Sequence, residues 1–195
     1  GVAIPTINAA VDARIMSGSK ELRKKHATNP VRVDLEEPIP KPEQMRTIAR
    51  SALHLSTLTA YAQGFELMKV ASEEYKWNLD LSECARIWLG GCIIRSVLLQ
   101  QFADAFSADK ARQKSAGAYA EAQWGGEKQV NTRLFLELAN ARGIATPSTS
   151  AAMNYYDSLR RESLPQSLVQ AQRDFFGAHT YKRTDKEGTF HAEWE

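Results

Sequence analysis

Residues 43–74 contain no proline and a single glycine, Gly64, while Ile48, Ala52, Leu55, Ala62, Leu67 and Met68 recur along them at near-helical spacing. With no breaker inside it and an apolar face along it, this stretch is predicted to form one very long helix, or two joined near Ser56. No convincing strand pair and no internal repeat is visible elsewhere. The expected class is therefore all-α, a multi-helix domain with long helices and an extended C-terminal tail.

The other segments follow the same logic. Residues 9–25 suit a helix with Asn8 as N-cap, Val11, Ile15 and Leu22 along one flank, and Gly18 as a modest weak point. Pro30, Pro38, Pro40 and Pro42 make 28–42 an extended connector. Asp80-Leu81-Ser82-Glu83 has the form of a capping box and opens a helix carrying Cys84, Ile87 and Trp88. Gly90-Gly91 should bend or interrupt that helix before Val97-Leu98-Leu99 and Phe102 resume, and close helix packing is the preferred reason for the pair. Residues 118–142 read as two helical pieces around Gly125-Gly126, closed by Gly143. Pro147 starts a helix to about Arg161, and 166–176 form the last one. Trp77, Trp88 and Phe65 are expected in the core rather than on a stacking platform.

At 195 residues and 43% apolar content the chain is long enough for one domain with a sizeable core. Its 25 basic and 23 acidic residues leave a net charge of +2. Arg23-Lys24-Lys25-His26 is too short a basic run for a nucleic-acid or membrane footprint, so neither partner is expected. No apolar run reaches membrane-spanning length. Cys84 and Cys92 lack metal-ligand spacing and a neighbouring base, which favours buried, inert thiols in a reducing compartment. A lone His191 with Glu193 offers too few ligands for a metal.

Residues 170–181, Gln170-Ala171-Gln172-Arg173-Asp174-Phe175-Phe176-Gly177-Ala178-His179-Thr180-Tyr181, are the most informative for function. Gly177 is expected as the left-handed cap of a helix, with Arg173 on its final turns and His179 just past its end. A guanidinium fork and an imidazole suit a phosphate or carboxylate. Taken blind, the same pair reads as a surface arginine and a histidine satisfying a nearby carbonyl.

The string from Gln170 to Glu195 resembles the carboxy-terminal end of 6-phosphogluconate dehydrogenase, the decarboxylating, NADP-linked enzyme of the pentose phosphate pathway and gluconate utilisation. Tyr61-Ala62-Gln63-Gly64-Phe65, Trp77-Asn78-Leu79, Ile87-Trp88, Gly90-Gly91-Cys92-Ile93-Ile94-Arg95-Ser96 and Tyr155-Tyr156-Asp157 agree in the same order, so the likeness covers essentially the whole chain. The resemblance implies a helical domain over 1–180 and a tail over 181–195 that packs on a partner subunit. It implies an NADP-dependent oxidoreductase, cytoplasmic and homodimeric, with a substrate site shared between subunits.

The resemblance also carries residue roles. Ala13-Arg14 matches a motif whose arginine contacts the sugar phosphate, and Arg173 and His179 match residues that reach into the neighbouring subunit's site to hold 6-phosphogluconate. Asp12 departs from the family pattern, in which a bulky apolar residue often precedes Ala-Arg; two positions from Arg14 it should point to another helical face. Lys182 and Arg183 lend positive potential near His179, or simply line a solvated turn.

No Gly-rich dinucleotide fingerprint occurs here. The resemblance places NADP mainly on an amino-terminal Rossmann domain that this chain lacks. The catalytic lysine and glutamate are likewise placed upstream of Gly1. No catalytic residue is therefore assigned within 1–195, and the chain alone is expected to be inactive. The alternatives are the helical domain of a related β-hydroxyacid dehydrogenase and a non-catalytic helical dimerisation module.

Overall fold

The computed structural model describes residues 1–29, 32–34, 39–108 and 116–194, the side chains of 117, 118 and 121 aside. Pro30 and Pro38 of the expected connector, and Glu195 at the end of the tail, lie outside the described residues. Among the described residues there are nine helices: α1 (Pro5–Gly18), α2 (Lys20–Lys25), α3 (Pro42–Tyr75), α4 (Leu81–Ile87), α5 (Val97–Ala108), α6 (Ala116–Gln123), α7 (Gly126–Asn140), α8 (Pro147–Leu159) and α9 (Ser167–Gly177). The chain divides into two compact units, 1–156 and 157–195.

In the first unit α3 is the spine. It runs unbroken for 34 residues, so the join considered near Ser56 does not occur. The Ser56 hydroxyl donates to the Ala52 carbonyl at 2.7 Å and Thr59 to that of Leu55 at 2.8 Å. Both buried hydroxyls are thus satisfied within the helix. Leu55, Leu58, Ala62 and Phe65 are buried on one stripe, against which α1, α4, α6 and α7 pack. Leu67 points away from that stripe and is exposed.

Aromatic rings fill the centre. Phe65 stands 5.3 Å from Trp88, 5.1 Å from Phe102 and 5.1 Å from Phe106. Phe65 is core and Trp88 packs against it. Trp77 is not core: it is 58% exposed and stacks on Tyr75 at 5.1 Å. Tyr75 ends α3, and Lys76 and Asn78 follow in left-handed conformations, which swing the Trp77 segment off the packed surface.

Local expectations fail where a distant partner intervenes. The first helix starts at Pro5, not after Asn8, with Ile4 at the cap position. Proline suits the first helical position because it has no N–H to satisfy. The next amide, Thr6 N–H, is accepted by Gln63 Oε1 at 3.1 Å, and Gln63 Nε2 donates back to the Thr6 hydroxyl at 3.0 Å. Gln63 is completely buried, so α3 supplies the cap that α1 lacks locally. The helix expected over 9–25 breaks at Ser19 into α1 and α2. There Arg23 folds back, its Nε donating to Met16 O at 3.2 Å and Nη2 to Ser17 O at 3.0 Å. Val11, Ile15 and Leu22 remain exposed.

Asp80 caps α4 as expected, accepting from Ser82 N at 2.9 Å and Glu83 N at 3.2 Å. Glu83 turns to Arg86 at 2.6 Å instead of completing the box. The Gly90-Gly91 pair interrupts the chain between α4 and α5, but not for close packing. A Cβ at either glycine would meet nothing within 4 Å, and it is the φ of +72° at Gly91 that calls for glycine. Gly143, at φ +65°, closes α7 as expected.

Replacing Gln63 with leucine keeps the volume but strands the buried Thr6 amide. The expected loss is about 1–3 kcal/mol in urea denaturation, in line with one unpaired buried donor. Hydrogen exchange should quicken in the first turn of α1 while the α3 core amides keep their protection. Unchanged exchange in α1 would rule this role out.

Candidate functional site

Arg14 lies on α1, eight residues beyond the Thr6 anchor, or about 12 Å along the axis. Its side chain and that of Asp12 are exposed. The Thr6–Gln63 pair fixes the start of α1 and thereby the direction in which Arg14 is presented.

The second unit is organised by a carboxylate that sequence reasoning passed over. Asp174, in the last turn of α9, has no solvent exposure at all. Its Oδ1 accepts from Thr180 N at 2.8 Å and from His191 Nδ1 at 2.9 Å, its Oδ2 from Ala192 N and Trp194 Nε1, each at 3.0 Å. These four donors tie the turn after α9 and the far end of the tail to one helical position. Burial pushes the Asp174 carboxyl up, but the Ala192 amide, His191, Trp194 and the Thr180 amide together outweigh it. They hold the group well below the usual carboxylate range. The available signal was its place: an acid in a helix's last turn faces the negative end of the dipole, so it needs donors from elsewhere.

The helix end itself differs from expectation. Gly177 is still helical, and the left-handed residue is Ala178, at φ 50°. Gly177 instead leaves room for a neighbouring side chain. A Cβ there would stand 3.3 Å from His179 Nε2 and 3.4 Å from its Cδ2, so the imidazole lies over the bare glycine. Thr180 follows at φ 63°. Between them the chain reverses, and Tyr181 and Phe190 pair as an isolated antiparallel bridge at 2.8 and 2.9 Å. Arg183 is bound by both Asp185 oxygens, at 2.8 and 2.6 Å, and sits 5.6 Å from the centre of the Phe190 ring. Its charge is spent within the hairpin.

Arg173 and His179 are thus brought to one end of α9, both exposed. Arg173 Nη1 donates to Gln170 Oε1 at 3.0 Å, a neutral partner, and Gln170 Nε2 donates to Thr180 O at 2.5 Å. The neighbouring Asp174 is saturated by its four donors, so it does not neutralise Arg173. A guanidinium left without an acidic partner keeps a planar fork of donors, the geometry that suits a carboxylate or phosphate. Around it Leu168, Val169, Phe175 and Phe176 are exposed apolar side chains of the same helix.

Elsewhere the chemistry is sparse. Burial, with the nearby Asp80 charge, pushes the Cys84 thiol up, away from nucleophilic character. Among the described residues no group of three or more His, Cys, Asp or Glu side chains is placed to hold a metal ion. Among them, too, no helix is long and apolar enough to cross a membrane.

Comparison with known proteins adds three observations. A family model described as 6-phosphogluconate dehydrogenase, C-terminal domain, matches residues 1–194. Among curated relatives, the decarboxylating 6-phosphogluconate dehydrogenase of Synechococcus elongatus is 45% identical over 195 residues, covering 100% of this chain and 41% of that protein. The NADP(+)-dependent decarboxylating enzyme of Bacillus subtilis is 43% identical over 199 residues, with 100% and 41% covered. The chain therefore spans about two fifths of the length of these relatives. A solved structure of Plasmodium falciparum 6-phosphogluconate dehydrogenase, described in its apo form and in complexes with its cofactor NADP+ and its substrate 6-phosphogluconate, superposes with a TM-score of 0.83 at 36% identity. It covers 100% of this chain and 42% of that one.

The Asp174 arrangement has a direct consequence. Asp174→Asn presents an amide N–H₂ to donors that need an acceptor, so the tail should loosen, with faster exchange at the Thr180 and Ala192 amides and altered Trp194 fluorescence. A folded-state pKa below the unfolded one means that the stabilisation is complete above about pH 4 and drains as pH falls below it. The wild-type tail should accordingly stay docked from pH 7 to pH 5. A tail that frees itself within that window would contradict the assignment.

Proposed function

The chain belongs to the 6-phosphogluconate dehydrogenase family, as its C-terminal domain, and from this premise we propose that it supplies half of a phosphosugar site in an NADP-dependent, decarboxylating dehydrogenase. The proposed reaction moves a hydride from the C3 hydroxyl carbon of 6-phosphogluconate to NADP, expels CO2 from the 3-keto acid and yields ribulose 5-phosphate after tautomerisation. The dinucleotide-binding domain, the catalytic lysine and the glutamate belong to the segment that the resemblance places upstream of Gly1. Residues 1–195 hold and orient; alone they are expected to be inactive.

Arg14 of one copy, with Arg173 and His179 of a second, clamps the phosphate. The observation that carries this reading is the exposed Arg173, whose partner is a neutral amide and whose acidic neighbour is fully engaged. A dianionic phosphate offers short, charge-assisted bonds to two guanidinium groups and one imidazole.

Assembly as a homodimer is part of the same proposal, with the helical domain over 1–180 and the tail over 181–195 lying against the partner. Exposed Leu168, Phe176, Ile93 and Val97 support it, since a lone domain seldom leaves such side chains in water. A cytoplasmic location belongs to this reading as well and rests on the likeness to dehydrogenases of small phosphorylated sugars.

In the full-length enzyme Arg173→Ala should raise the KM for 6-phosphogluconate roughly ten- to a hundredfold, the worth of one charge-assisted contact at about 1.5–3 kcal/mol. The KM for NADP should barely move, and His179→Ala should act in the same direction more weakly. Mixing Arg14→Ala and Arg173→Ala subunits tests the shared site. Sites built across two copies regain one intact pocket per hybrid dimer and recover activity at low substrate; sites built within one copy recover none. An unchanged substrate KM in Arg173→Ala would overturn the reading.

A further inference from the structure

Gln170 lies one turn before Arg173 and is half-buried. Its carboxamide joins two groups that differ in hydrogen-bonding sense. Oε1 accepts from Arg173 Nη1 at 3.0 Å, and Nε2 donates to the Thr180 carbonyl at 2.5 Å. The guanidinium can only donate and the carbonyl can only accept, so a single orientation of the amide serves both.

Each end of this brace matters. Thr180 is a non-glycine residue at φ 63°, two positions after Ala178 at φ 50°, and left-handed backbone at such residues persists only where its surroundings hold it. Asp174 holds the Thr180 N–H at 2.8 Å and Gln170 holds the Thr180 carbonyl. Residue 180 is therefore gripped on both sides, and His179 immediately before it is set by the same turn. At the other end, an exposed arginine would sample many rotamers, and anchoring one guanidinium nitrogen reduces that freedom before any anion arrives.

We propose that Gln170 is a positioning residue for the phosphate site, setting the Arg173 guanidinium and the His179 turn as one preformed unit. This rests on the reading of Arg173 and His179 as phosphate ligands. Glutamine fits the task better than its neighbours in chemistry. Glutamate would keep the acceptor but pair with Arg173 as a charge, competing with phosphate, and would repel the Thr180 carbonyl. Methionine would match the length and lose both bonds.

The test uses the full-length dehydrogenase. Gln170→Met should raise the KM for 6-phosphogluconate roughly three- to tenfold, the scale of neutral hydrogen bonds, with kcat within about twofold and the NADP KM unchanged. Competitive inhibition by inorganic phosphate should weaken in parallel while the α9 amides keep their hydrogen-exchange protection, a combination that general loosening of the helix would not produce. Gln170→Glu, nearly isosteric and so a safeguard if the methionine variant folds poorly, should weaken phosphate inhibition further. In an Arg173→Ala, His179→Ala background the effect of Gln170→Met on kcat/KM should vanish. The proposal is overturned if Arg173→Ala raises the substrate KM while both Gln170 variants leave it alone, or if the Gln170 effect keeps its full size in the doubly substituted background. Should Arg173→Ala itself leave the substrate KM unmoved, the phosphate reading fails first and this proposal with it.

Discussion

One buried stripe on α3 is the constraint on which residues 1–156 depend. A helix of 34 residues is about 51 Å long, and four other helices pack against it. The stripe is not purely apolar. Ser56, Thr59 and Gln63 lie in it, buried among Leu55, Leu58 and Phe65. The two hydroxyls are satisfied by the helix itself, which makes them indifferent to what packs there. Gln63 is different, because its amide has no partner within α3. It must find one across the interface, and it finds the first turn of α1. A polar group placed in an apolar stripe thereby selects where one neighbour docks and in which register, something that apolar contact alone specifies poorly.

The second unit repeats that principle with a charge. A carboxylate at the negative end of α9 is unfavourable by itself, and burying it would be worse without donors. Four donors, one from the turn after α9 and three from residues 191–194 of the tail, resolve both problems. The tail takes its path because those donors must converge. The consequence reaches the exposed face, since an engaged Asp174 leaves Arg173 with its charge. Structure and the proposed binding role are linked here through electrostatics rather than through contact with a ligand.

The apolar side chains left outside are as telling as those within. Ile93 is wholly exposed, Val97 and Leu168 nearly so, and Phe176 is 74% exposed. Ile93 lies on the turn before α5, Val97 and Leu168 on the first turns of α5 and α9, and Phe176 on the last turn of α9. A second copy of the chain covering them is the arrangement that the proposed shared site also requires.

Periodicity and breakers determine the helices, because they are local properties. The absence of proline over 43–74, the Asp80 cap, Gly143 and the place of Arg173 and His179 beside a helix end were all legible on that basis. So was the family, since several matching blocks in order need no structure to be recognised. What escaped was set by residues far apart in the chain. Pro5 rather than Asn8 opens α1 because Gln63 caps the new helix at Thr6, 57 positions away. Gly91 is glycine for its backbone angle, and the His179 imidazole comes to lie over Gly177. Trp77 sits outside because left-handed residues turn the chain away from the core. Asp174 looked like an unremarkable acid beside an arginine, and only the folded tail shows that its charge is spent on four donors. Helix formation is decided within a few residues. Which polar group is buried, and who satisfies it, is decided only once distant segments meet.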